Sequence, residues 1–171
     1  TMLDTTIADQ TQTFLDHFGA ALAAGDADRV AAMFQSDSYW RDLVAFTWNL
    51  KTVEGPDGVR DMLHSQLAQA KPSDFKLQEG EIPTEDGGVT TAWITFQTAQ
   101  GRGWGLIRLK DGKIWTLLTA LQELKGFEEP KGHARPMGAA HGAEKNRTSW
   151  KERQEAEAAT LGYDTQPYTV I

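Results

Sequence analysis

The sequence predicts an α+β domain with helices packed on one face of an antiparallel sheet, and three observations carry that prediction. Apolar residues recur at helical spacing up to Ala70, extended apolar runs replace them after Pro72, and Asp111-Gly112 stands between two such runs. Asp-Gly in that setting is a hairpin signal, because both residues tolerate positive φ. The 171 residues suffice for one packed domain and an appendage.

The elements follow in chain order. Phe14, Leu15, Phe18, Ala21 and Leu22 mark a first helix that Gly25 stops. Asp26 then caps a second helix leading into Val30, Met33 and Phe34. A strand is expected within Tyr39 to Glu54, where Phe46, Trp48 and Val53 are aromatic or β-branched. Pro56 opens a third helix whose apolar stripe, Val59, Met62, Leu63, Leu67 and Ala70, ends before Pro72. Phe75 to Pro83, Val89 to Ala99, Trp104 to Leu109 and Ile114 to Leu124 then read as an antiparallel meander.

Composition narrows the function classes. Apolar residues make up 40% and charged residues 24%, which is globular. Lys and Arg number 17 against 24 Asp and Glu, and the net charge of -7 argues against a grip on nucleic acid or an anionic membrane. The absence of cysteine removes disulfides, thiolate nucleophiles and Cys-based metal sites. No apolar run reaches the length of a membrane span, and the polar, acidic start is unlike a secretory leader, so a cytoplasmic protein is expected. Thr1 ahead of Met2 reads as a remnant before a native start.

A boundary is expected at the turn into Gly126. Residues 1–124 carry 10 basic and 17 acidic side chains, whereas residues 125–171 carry 7 of each. The run from Gly126 to Gly142, rich in Gly, Pro and His, reads as a linker arm. Ser149 with Glu152 forms a capping box for a helix through Thr160 that ends at Leu161-Gly162, and Tyr168 to Ile171 reads as a strand.

The order helix, helix, short strand, helix, long strands resembles the NTF2-like superfamily over about residues 5–124. That resemblance, which includes SnoaL-like members, implies a cone: a strongly curved antiparallel sheet wrapped on three N-terminal helices, here followed by a C-terminal linker and helix. A narrower resemblance rests on four stretches, YWRDLVAFTW (39–48), GWGLIRL (103–109), WTLLTALQELKG (115–126) and a tail of NRTSWKERQEAE (146–157) with QPYTVI (166–171). They look like the N-terminal region of bacterial flavin-containing monooxygenases. The resemblance implies that residues 125–171 comprise a linker arm, a helix and the opening strand of a missing FAD-binding domain, and that the gene continues beyond Ile171. The Gly-rich dinucleotide fingerprint is not in the chain, so no cofactor is expected here, with FAD and NADPH expected for the full-length parent.

Among single residues, Asp42 is the candidate base, an acid flanked by Trp40, Leu43 and Val44 and suited to a carbon acid if it is desolvated and unpaired. Neighbouring Arg41 could instead pair with it and make the couple structural or an anion clamp. Six tryptophans are many for this length, and aromatic walls hold flat apolar ligands. Tyr39, Trp40, Arg41, Trp48, His64 and Trp104 are the substrate-binding candidates. Trp104 stands out because Gly103 and Gly105 flank it, as where a ligand or backbone approaches closely. Asp61 could orient His64 on the third helix, and the histidine spacing matches no zinc motif.

The leading expectation is a small-molecule-pocket or dimerisation domain of an FAD/NADPH-dependent monooxygenase, inert in oxygenation when isolated. A self-contained isomerase, cyclase or dehydratase with Asp42 as base is the alternative. The expected partners are a small apolar or aromatic molecule, the missing flavin domain and a second copy in a homodimer, with no nucleic acid and no membrane. A purely structural dimerisation module would have a cone plugged by side chains and an apolar outer sheet face.

Overall fold

The computed structural model describes residues 2–135 and 148–160. It divides into two compact units, Thr1–Glu129 and Pro130–Ile171. In the first, α1 (Met2–Ala23) and α2 (Ala27–Ala32) precede a hairpin of β1 (Phe34–Leu43) and β2 (Leu50–Glu54). Next come α3 (Gly55–Ala70), β3 (Ser73–Leu77), the short β4 (Thr84–Asp86), β5 (Val89–Gln97), β6 (Gly101–Lys110) and β7 (Lys113–Leu124). The strands form one curved, unclosed sheet in the order β2-β1-β7-β6-β5-β3, with β4 paired to β5.

Local chemistry explains the element ends. The Asp26 carboxylate accepts from the Arg29 N–H at 3.0 Å and caps α2, as expected. Pro56 lies in the first turn of α3, and Lys71 closes that helix in the left-handed conformation (φ 44°). Asp111 and Gly112 both have positive φ and join β6 to β7 by the anticipated tight turn.

Three expectations need correction. The third helix follows β1 and β2, so only two helices precede the sheet. The sheet is not wholly antiparallel, because β1 runs parallel to β7, the long excursion between them bringing β7 alongside β1. The stretch from Tyr39 to Glu54 is two strands around a loop, and its first strand starts at Phe34, which belongs to β1 rather than to α2.

The core lies between the helices and one sheet face. Leu15, Phe18, Val30, Met62 and Leu63 meet Trp40, Ile94, Phe96, Ile107 and Ile114 there, all buried. Strand alternation turns the other residues of β1, β5, β6 and β7 to the opposite, open face, which no element of residues 2–129 covers.

In the second unit, Gly132–Ala134 forms a single 3-10 turn and α4 spans Trp150–Thr160. The Ser149 N–H donates to Glu152 at 2.8 Å and the Glu152 N–H donates to Ser149 Oγ at 3.2 Å, completing the expected capping box. No residue of α4 is buried. The expected helix end at Leu161-Gly162 and the strand Tyr168 to Ile171 lie outside the described residues, as does the arm beyond Arg135 up to residue 147.

Candidate functional site

Trp40 and Asp42 point from β1 into the interior, and both are fully buried. The Trp40 ring stacks on Phe34 at 5.7 Å between centroids and meets the edge of Phe46 at 5.0 Å. Phe18, Phe75 and Phe96 continue the cluster, so aromatic side chains fill the space enclosed by sheet and helices.

Asp42 is the hub of a polar network inside that packing. Its Oδ1 accepts from Thr119 Oγ1 at 2.6 Å, and Thr119 in turn accepts from the Trp40 indole N–H at 2.9 Å. Its Oδ2 accepts from the Phe46 N–H (3.0 Å), the Thr47 N–H (2.9 Å) and the Thr47 hydroxyl (2.9 Å). Four donors therefore converge on one buried carboxylate. They fold the β1–β2 loop back on its own strand, where Val44 (φ 68°) and Trp48 (φ 53°) occupy left-handed backbone that disfavours any residue with a Cβ and β-branched Val44 most.

Arg41 does not pair with Asp42. Adjacent residues of a strand face opposite ways, and Arg41 lies on the open face with its Nη1 3.4 Å from Thr52 Oγ1. Tyr39 shares that open face, half-exposed. Trp48 sits on the loop, also half-exposed, and His64 is on the outer side of α3 with no hydrogen bond to Asp61. The seven candidate residues thus occupy four places and do not converge on one pocket.

Trp104 lies on the open face of β6 beside Trp93 of β5, with ring centroids 5.2 Å apart. Of the two close approaches expected at Gly103 and Gly105, a ligand or a backbone, the structure shows the backbone. Both glycines face the helices, and a Cβ on Gly103 would lie 2.7 Å from the Ala120 carbonyl oxygen and closer still to the Phe96 ring. One on Gly105 would collide with the Leu118 carbonyl. The close neighbours are backbone and core, not a ligand.

The two indoles border an open groove of about 920 Å3, further lined by Thr95, Gln97, Arg102 and Gln122. Arg102 Nη1 bridges Glu123 (3.1 Å) and Glu128 (3.0 Å) at its edge, and these bonds raise its pKa, with Glu128 the larger cause. The Glu128 carboxyl is held below its usual range by its own N–H and that of Gly126, then by Arg102. Asp74 is likewise lowered, mainly by Lys76 at 3.1 Å and then by Gln97. Beyond the grooved part, Leu106 of β6, Leu118 and Ala120 of β7 and Leu43 of β1 extend the apolar surface across adjacent strands.

Sequence reasoning missed Thr47, Thr119 and Trp93. The first two are Asp42 partners that only a loop and a parallel pairing reveal. Trp93 could be found from alternation, since it falls in register with Leu106, diagonal to Trp104. Among the described residues, no cluster of His, Asp and Glu has the geometry of a metal site, and no helix is long and apolar enough to cross a membrane.

Two helices, a β-hairpin, a third helix and a curved sheet whose first strand joins the last in parallel define an NTF2-like α+β domain. Residues 15–117 match the SnoaL-like domain family, and the chain belongs to it. Among solved structures, an NTF2-like protein with a cystatin-like fold from Novosphingobium aromaticivorans is similar at 13% identity and a TM-score of 0.51, over 67% of this chain and 81% of that one. A domain of unknown function with a cystatin-like fold from Nostoc punctiforme aligns at 11% identity and a TM-score of 0.55, over 72% and 80%. A protein of unknown function from Mycobacterium tuberculosis aligns at 15% identity and a TM-score of 0.50, over 67% and 71%. These likenesses concern the fold. No curated protein matches the chain.

Proposed function

We propose that this SnoaL-like domain is an assembly module that brings two copies of its chain together through the open face of the sheet and does no chemistry of its own. The observation that carries the reading is the filled interior: aromatic rings occupy it, and Asp42, the one buried acid among the described residues, already accepts four hydrogen bonds. A base must have a lone pair facing substrate, and Asp42 has its oxygens turned to the loop and to Thr119. Leu43, Trp93, Trp104, Leu106 and Leu118 give the opposite face the apolar character of an interface. In this reading the Trp93–Trp104 groove belongs to the contact between copies, and the small apolar or aromatic ligand expected from the sequence has no place in it.

The finer proposal is that the parent is a flavin-dependent monooxygenase using FAD, NADPH and molecular oxygen, with the flavin domain as a further partner. It rests on the sequence resemblance, and the gene sequence following Ile171 tests it directly. The assembly reading is tested by sedimentation of the wild type and Trp104→Glu. A dimer that becomes a folded monomer on substitution supports it, and a wild type that is monomeric at every concentration overturns it.

Family membership favours a second reading, a self-contained isomerase, cyclase or dehydratase with Asp42 as base. It requires Asp42 to release some of its donors when substrate enters. Turnover of an enolisable ketone that Asp42→Asn abolishes, in a variant that stays folded, would establish it over the first.

A further inference from the structure

On the helical side, away from the open sheet face, α1, α2 and α3 leave a crevice of about 530 Å3 between them. Leu22, Leu63 and Leu67 form its buried floor, and Ala68 stands at its exposed side. That volume lies within the range of small-molecule sites. Two nitrogen-bearing side chains stand at its rim: His64 of α3 and Lys71, the residue that ends that helix, both exposed and without a side-chain partner.

The sign of this rim is unusual for the molecule. The chain carries 24 acidic residues and a net charge of -7, yet none of the crevice's lining residues is acidic. Both acids that adjoin a lining residue in sequence are engaged elsewhere: Asp26 accepts from the Arg29 N–H at the start of α2, and Asp28 pairs with Arg60 at 2.6 Å. Lys71 is also fixed in place by its backbone. It ends α3 in left-handed geometry, with its N–H bonded to the Leu67 carbonyl at 3.1 Å, so the ammonium leaves the chain at the crevice mouth. Glycine is the usual residue at such a position, and a lysine there accepts backbone strain.

From the apolar floor, the acid-free lining and the two rim nitrogens, we propose that this crevice binds a small amphipathic carboxylate, its hydrocarbon body on Leu22, Leu63 and Leu67 and its carboxylate against Lys71 and His64. The site is separate from the sheet-face reading and survives its failure, since oligomeric state and crevice occupancy are measured independently.

The test is calorimetric titration of the full chain with decanoate, decanol and decyltrimethylammonium, each below its aggregation concentration. Decanoate should bind at one saturable site, decanol about tenfold more weakly for want of the charged hydrogen bonds, and the cation not at all. Lys71→Gly should weaken decanoate about tenfold, leave decanol unchanged and keep or raise the melting temperature, because glycine suits the left-handed backbone. Ala68→Phe, an exposed substitution that fills the crevice, should abolish binding of both. Equal binding of all three probes, decanoate affinity indifferent to Lys71→Gly or Ala68→Phe, or no saturable binding of decanoate would each overturn the proposal.

Discussion

Asp42 and Ser38 point into the interior from the same strand, and their surroundings lead to opposite mutational outcomes. Removing the Asp42 carboxylate leaves the Phe46 and Thr47 amides and the Thr119 hydroxyl without an acceptor in a space water does not reach. Asp42→Ala should therefore cost about 3 kcal/mol, read in denaturant unfolding as a lowered midpoint with little change in slope. Ser38 is almost fully buried and its hydroxyl has no partner at all. Ser38→Ala removes an unmet polar group while keeping the packing, and should raise stability by about 1 kcal/mol. A stabilised Asp42→Ala would show that the network is not what holds the 44–49 loop.

At the scale of elements, β6 depends on having no side chains on its inner face where β7 presses against it. Gly103→Ala should destabilise the domain by about 2 kcal/mol or more, because the displaced partners are a strand carbonyl and the buried Phe96 ring rather than a flexible side chain. Differential scanning calorimetry of that variant beside Gly87→Ala, whose Cβ meets nothing but whose φ is positive, separates overpacking from backbone strain. Helix α4 depends on its cap. The Ser149 N–H and then its hydroxyl hold the Glu152 carboxyl below its usual range, so the ionised cap stabilises the folded helix above the unfolded carboxyl's pKa. That stabilisation is lost as pH falls through the lower, folded value. Carbon chemical shifts of residues 150–160 should lose helical character on acidification below about pH 4, and Glu152→Gln should blunt the transition.

For the whole molecule, the assembly reading and the enzyme reading agree that the chain alone leaves flavin and NADPH untouched, and they part only over turnover of an enolisable ketone. On both, adding FAD to the chain leaves free-flavin fluorescence unchanged, and NADPH is not consumed, because no Gly-rich phosphate-binding turn is in the sequence. Quenched flavin fluorescence would show that the chain itself carries a nucleotide site. The dimer should also be only weakly salt-dependent, since the proposed contact consists mainly of Leu and Trp side chains, with Arg41 and Arg102 near its margins. Strong dissociation in salt would point to charge pairing and count against that face.

The sequence by itself determined the helical stripes, the Asp111-Gly112 hairpin, the α2 and α4 caps and the order of elements, because each depends on residues within a few positions of one another. The fate of Asp42 was decided only by tertiary structure. Its acceptors could serve a substrate, Arg41 or a loop, and the choice fell to Thr119, which lies 77 residues away and reaches it through a parallel pairing no local pattern encodes. The glycines around Trp104 were legible as a close approach, but whether a ligand or a carbonyl approached depended on which residues of β7 and the core lie against β6. The crevice at His64 and Lys71 has the same origin: periodicity placed His64 on the third helix, but only the packing of α1 and α2 beside that helix leaves a crevice there, with Lys71 at its end.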